Sequence, residues 1–352
     1  MGYTKTEFGK MADGTEVYRY TLTNDYGVSA SFTDLGAIWL TMVVPDRDGK
    51  MKDVVLGYDA VDSILTGPGH PGEPVGRNAN RIGGGKFALN GVTYELEINN
   101  AGKNNIHSGP DFYRDRVWGV AVEETDLGTR ISFALHSPDG DQGYPGNADI
   151  TVSYTLTPDN ALQLDYHMVS DADTIANFTN HVYFNLNGHD SGCAMGHKVW
   201  IDADAFTIAD ETSVPTGELV PVAGTPMDFT EMKPIVQDIE VDCEPLKLAK
   251  GYDHNWVLNH PAGELSLCAK AEDEVSGRTM EVYTDLPGIQ FYTANSFNTD
   301  KGKDGTTYRG RDGYCFETQY FPDAINKPQF ASPVLKAGKE YKTTTIYKFG
   351  VK

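Results

Sequence analysis

A beat of two restricts the fold most. In ADITVSYTLTPDNALQLDYHMVS the apolar residues Ile150, Val152, Tyr154 and Leu156 alternate with polar ones, and after TPDN the residues Leu162, Leu164, Tyr166 and Met168 alternate again. A helix would need apolar side chains three or four apart to share a face, whereas alternation places every second side chain on one side of an extended strand. The two runs predict a hairpin of half-buried strands. KFALNGVTYEL predicts another, because Asn90-Gly91 supplies two residues that tolerate the positive φ of a tight turn. Similar runs at 117–122, 131–135, 281–283 and 344–349 are punctuated by LGT, SPDG, LPG and AGK turns, and the one fair helix candidate is short, around 59–65. Regularly spaced strands with almost no helix predict an all-β fold, a large antiparallel β-sandwich. No repeat, low-complexity tract or compositional break divides the chain, so residues 1–352 read as one domain.

Charge and cysteine usage exclude several function classes. With 50 acidic against 29 basic residues the formal net charge is -21, which repels phosphate backbones and anionic membrane surfaces. Nucleic acid is therefore not an expected partner. No long apolar run exists, and MGYTKTEFGKMADG lacks the apolar core of a signal peptide, so the sequence reads as a soluble, cytoplasmic protein with no membrane partner. Cys193, Cys243, Cys268 and Cys315 are far apart without a CxxC pair, which argues against structural zinc or a disulfide framework and suggests buried free thiols.

Several motifs fail on inspection. Gly83 to Lys86, GGGK, is no phosphate loop, because Asn80 stands where that loop needs glycine and Phe87 where it needs a hydroxyl. Asn177-Phe178-Thr179 is a formal glycosylation sequon with no secretory signal to expose it to modification. His181, His189 and His197 recur at equal spacing, but that spacing matches no one-faced ligand pair on a helix or strand, so no metal is expected. There is no GxSxG elbow and no local cysteine signature.

Six segments remain: VGRNANRIGGG, NNIHSG, NFTNHVYFNLNG, GYDHNW, GIQFYTAN and CFETQYFPDAIN. Each sets one or two hydrogen-bonding side chains among aromatics and glycines. Sugar hydroxyls require paired donors and acceptors while sugar C–H faces require apolar contact, so a neutral sugar site is the natural candidate. Taken singly, His107 reads as a loop histidine, Asp253 as a turn acid, and Asn80 or Asn185 as turn residues. Glu317 is more telling. Flanked by Cys315, Phe316, Tyr320 and Phe321, its carboxylate is expected to be desolvated and its pKa raised.

Together and in this order, over 76–326, the six segments resemble the aldose 1-epimerase family, the galactose mutarotases. The resemblance implies a single antiparallel β-supersandwich with the sugar in an open cleft on one face, a small-molecule aldohexose such as galactose or glucose as substrate, and no cofactor. It implies that Glu317, in FETQ, is the general base for the anomeric hydroxyl. His181, in TNHVYFN, corresponds to the acid that protonates the ring oxygen, and His107, in NNIHSG, to a second histidine near that oxygen. Asn80 and Arg81 in ANRI, Asp253 in YDHNW and Gln290 in IQFYTAN match residues that grip sugar hydroxyls. Ser108 departs from the glycine that often follows the histidine, which touches only the path of that loop.

Anomer exchange explains why one acid and one base suffice. The C1 hydroxyl loses a proton, the ring oxygen gains one, the C1–O5 bond breaks, and rotation about C1–C2 offers the other carbonyl face before reclosure. An imidazole of ordinary pKa, about 6.5, is expected to be proton-loaded or readily loaded near neutrality. Paired carboxylates, Glu317 with Asp253, are also the equipment of a glycosidase, although a histidine acid has no role there. A hexose-6-phosphate epimerase would need a basic cluster that is not evident, and a non-catalytic sugar module would not need both Glu317 and His181. Tyr183, Trp256 and Phe291 are candidates for an aromatic floor, with core packing the plainer role for any one of them. The assembly expected is a monomer or homodimer.

Overall fold

Backbone pairing gathers the alternating runs into three main antiparallel sheets in the computed structural model, which describes residues 2–352. The largest has nine strands in the order Gly119–Thr125, Gly128–Ser137, Ala148–Leu156, Ala161–Ser170, Glu340–Val351, Arg278–Thr284, Ser266–Glu272, Lys198–Ile201 and Lys233–Pro234. The register sets Ile150 opposite Met168, Val152 opposite Tyr166, and Tyr154 opposite Leu164. Each pair is buried on one face, as the alternation requires. The strand Glu340–Val351 joins the two halves of this sheet, pairing with Ala161–Ser170 on one side and Arg278–Thr284 on the other.

Two five-stranded sheets complete the architecture. One is formed by Gly2–Lys10, Glu16–Thr23, Ser29–Thr33, Trp39–Pro45 and Met51–Asp53; the other runs in the order Pro215–Pro221, Ala205–Ala209, Asp253–Val257, Gly288–Tyr292 and Cys315–Gln319. All three sheets contribute to one apolar cluster. Phe32 stacks on Tyr154 with ring centroids 4.2 Å apart, and the Tyr347 hydroxyl donates to the Phe316 carbonyl at 2.8 Å. The all-β sandwich expected from the strand pattern is the observed fold.

The Asn90-Gly91 hairpin joins Lys86–Leu89 to Val92–Glu95, with φ of 51° and 79° at the two turn residues. The short helix expected around 59–65 is Val61–Thr66. A second, Glu244–Ala249, carries Pro245 in its first turn and stops at Lys250 in left-handed conformation; it is too short to show helical periodicity. No helix among the described residues is long and apolar enough to cross a membrane.

One reading needs correction. Cys268 and Cys315 are buried, but Cys193 is exposed and Cys243 half-buried, because both lie in loops outside the strand lattice. The three evenly spaced histidines go to different neighbourhoods: His189 bonds the Tyr308 hydroxyl, His197 bonds that of Tyr314, and His181 faces a cleft.

One buried cation ties the amino-terminal sheet to a distant loop. Lys303 Nζ donates to the carbonyls of Leu40 and Val55 at 2.8 and 2.5 Å and sits 2.5 Å from Asp53 Oδ2. Asp53 Oδ1 meanwhile accepts the Met42 and Val55 amides.

Candidate active site

The sheet ending in Cys315–Gln319 has two unlike faces. Across its last three strands Glu317 lies opposite Gln290, which lies opposite Asn255, with Asp253 two residues away on the same face. The residues between them, Trp256, Phe291 and Phe316, turn the other way into the apolar core. Alternation therefore makes one polar wall from three segments far apart in sequence.

Two loops close the opposite wall. Asn80 and His107 both have positive φ, 61° and 55°, and their backbones bond reciprocally: His107 N–H donates to the Asn80 carbonyl while Asn80 N–H donates to His107 Nδ1 at 3.1 Å. That bond makes Nδ1 an acceptor, so a neutral His107 carries its proton on Nε2. His181 follows the bridge Thr179–Asn180, and its own N–H and C=O bond the Glu73 carbonyl and the Gly72 amide.

These elements enclose a cavity of about 390 Å³, within the size range of small-molecule sites. Asn80, Arg81, His107, His181, Asp253 and Glu317 line it. Gln290 does not. Its buried side-chain amide donates to Asp253 Oδ1 at 2.7 Å, while Arg81 Nη2 lies 3.4 Å from Asp253 Oδ2. Of the aromatic candidates, Tyr183 lines the cavity, whereas Trp256 and Phe291 belong to the core. Tyr292, Phe297 and His70 also line it and were not anticipated. His70 sits in GPGHPGEP, which reads as loop, and its neighbours in space are remote in sequence.

At the centre, His181 Nε2 and Glu317 Oε1 are 3.8 Å apart. Burial, reinforced by the charge of Asp253 and opposed by Arg81, pushes the Glu317 carboxyl well above the usual range. Its Oε2 is buried with no hydrogen-bond partner. Burial also drives His181 down to about 3, with its neighbours His70 and Arg114 adding to the effect, and drives His107 well below its ordinary value. Burial thus favours the protonated form of Glu317 and the neutral rings of His181 and His107. This corrects the expectation of a histidine proton-loaded or readily loaded near neutrality, since complete burial removes the hydration that an imidazolium needs. Cys315 Sγ, 3.5 Å from His181 Nδ1, stays a thiol because burial raises its pKa, and a thiol can donate to a neutral ring or accept from a charged one.

His107, His181 and Glu317 also form the one group among the described residues with donor atoms close enough for an ion, all within 4.8 Å of one another.

The profile of the family described as aldose 1-epimerase matches residues 18–348. The chain belongs to the aldose 1-epimerase family. Family membership brings the activity after which it is named, interconversion of aldose anomers. The chain is 39% identical to a galactose mutarotase of Sus scrofa over 99% of its own length and 98% of the relative's. It is 34% identical to an aldose 1-epimerase of Escherichia coli over 96% of each chain. Among solved structures, a galactose 1-epimerase from Lactobacillus acidophilus superimposes with a TM-score of 0.87 at 26% identity, covering 99% of each chain.

Proposed function

We propose that this member of the family interconverts the α and β anomers of free aldohexoses, galactose and glucose among them, with Glu317 and His181 moving the protons. The observation that carries this reading is the buried Glu317–His181 pair, 3.8 Å apart across a sugar-sized cleft. Ring opening uses the ionised glutamate and the protonated imidazole: Glu317 takes the C1 hydroxyl proton, His181 gives one to O5, and the C1–O5 bond breaks to the aldehyde. What remains is a protonated glutamate and a neutral imidazole, the protonation pattern that burial favours. Reclosure on the other carbonyl face returns both protons. One proton shared between two side chains therefore completes either direction of the reaction.

His107, with its proton on Nε2, donates a hydrogen bond near O5, and Asn80, Arg81 and Asp253 hold hydroxyls so that the opened sugar stays anchored while its C1 end rotates. Gln290 fixes Asp253 from behind. Residues 1–352 act as one domain, in the cytoplasm, as a monomer or homodimer, and the charge of -21 keeps nucleic acid away.

Polarimetry on freshly dissolved α-D-galactose, with chelator present, tests the activity. Faster approach to an unchanged final rotation supports it; an unaltered rate on galactose and glucose rejects it. The pH dependence follows from the proton count. The pair carries one proton from about pH 3, where His181 would take a second, up to the raised pKa of Glu317, above which no proton remains to deliver. The kcat/KM profile is expected to show no acid limb near pH 6.5 and to fall as pH rises through the raised pKa of Glu317. An acid limb with a midpoint near 6.5 would refute a buried neutral His181.

A further inference from the structure

His70 and Glu73 form a side-chain pair at the rim of the cleft to which no role has yet been given. The sequence His70-Pro71-Gly72-Glu73 is a reverse turn, with Pro71 at the position that favours a φ near -65° and Gly72 at φ 72°. Glu73 N–H closes it on the His70 carbonyl at 3.1 Å. Gly72 cannot be replaced without displacement, because a Cβ there would lie 2.0 Å from the Trp39 carbonyl oxygen. The turn brings His70 Nδ1 to 2.5 Å from Glu73 Oε2. The same turn is bonded through Gly72 and Glu73 to both sides of the His181 peptide, so the pair and His181 keep a fixed relation.

Glu73 is almost wholly buried, whereas the His70 side chain is 18% exposed and lines the cleft. A buried carboxylate on Nδ1 fixes the ring's orientation and leaves Nε2 as its remaining hydrogen-bonding atom. The His70 ring centroid is 5.1 Å from that of His107 and 5.8 Å from that of His181. Arg81 and Asp253 instead stand beside Glu317.

With the C1 hydroxyl at Glu317 and O5 at His181, a pyranose leaves this edge in two directions. C2 follows C1 toward Asp253 and Arg81, while C5 and its exocyclic C6 follow O5 past His181 to the side where His70 stands. We propose that His70, oriented by Glu73, binds the C6 hydroxyl of the sugar and thereby favours hexoses over pentoses. This rests on the roles given above to Glu317 and His181. His70 is the substrate contact and Glu73 a positioning residue behind it.

L-Arabinose has the ring configuration of D-galactose without C6, and 6-deoxy-D-galactose keeps C6 but lacks its hydroxyl. The wild-type protein is expected to turn over both more slowly than D-galactose, mainly through KM. His70→Ala should cut the galactose-to-arabinose ratio of kcat/KM by about tenfold or more, since a site that bonds a hydroxyl discriminates strongly against sugars lacking it. Glu73→Ala should do the same, and Glu73→Gln, whose amide oxygen still accepts from Nδ1–H, should restore most of the ratio. A ratio unchanged in His70→Ala, with both sugars slowed in proportion, overturns the proposal. Equal wild-type kcat/KM on galactose and 6-deoxy-D-galactose overturns it without any variant. Failure of the underlying roles looks different: Glu317→Gln would then remain active on every sugar while the selectivity ratio stayed intact.

Discussion

Glu317→Gln is expected to lower kcat for mutarotation by about two to four orders of magnitude while KM changes only a few-fold. The amide has the shape of the carboxyl and the same neighbours, so the sugar still fits. It can neither remove the C1 hydroxyl proton nor hold the one it should return. Stability should be kept or improved, because the substitution replaces an ionisable group whose Oε2 is buried without a partner. Polarimetric kcat and a thermal melt separate chemistry from folding. Near-normal turnover by a folded Glu317→Gln protein would remove Glu317 from the mechanism.

Lys303→Met should produce the largest loss of stability, about 3–5 kcal/mol, read as a lower urea midpoint at unchanged slope. Methionine fills the volume but leaves the Asp53 carboxylate without its countercharge and the Leu40 and Val55 carbonyls without their donor. Burial lowers the Lys303 pKa and Asp53 opposes that shift, so the cation is held by its partner rather than by water. Removing both charges, as Lys303→Met with Asp53→Leu, should recover part of the loss, since no uncompensated ion then remains; the Met42 and Val55 amides that Asp53 also accepts limit the recovery. An unmoved midpoint in the single variant would show that the pair contributes nothing to folding. Lys303 does not line the cleft, so kcat per folded molecule should be retained.

The fold was legible wherever side chains alternate between water and core. The runs around Val152 and Leu164 announced their hairpin because apolar and polar side chains alternate in both, although Ser153 and Thr155 on the polar face are buried as well. Of the polar wall, Glu317 stood out as an acid among aromatics, whereas Asp253 and Gln290 were singled out by the family resemblance; Trp256, Phe291 and Phe316 form the reverse face of the same sheet. The amino-terminal sheet was harder to read. Its first strand, GYTKTEFGK, is largely exposed on both faces and carries no apolar period. His70 escaped notice because the chain around it reads as turn and its neighbours lie far along the sequence. The proton state of His181 was misjudged for a related reason. Residue type sets an ordinary imidazole pKa, but burial sets the actual one, and burial depends on segments the local sequence does not contain.

The strand Glu340–Val351 is the last element in chain order among the described residues, yet it lies in the middle of the largest sheet. During synthesis, both of its eventual neighbours, Ala161–Ser170 and Arg278–Thr284, leave the ribosome earlier and must wait with open edges until it arrives. The nascent chain thus has two strand-pairing surfaces able to recruit a wrong partner, and the long sequence separation makes the correct closure slow. Yield in the cell then depends on how quickly that final strand is captured, a kinetic demand that the stability of the finished protein does not reveal.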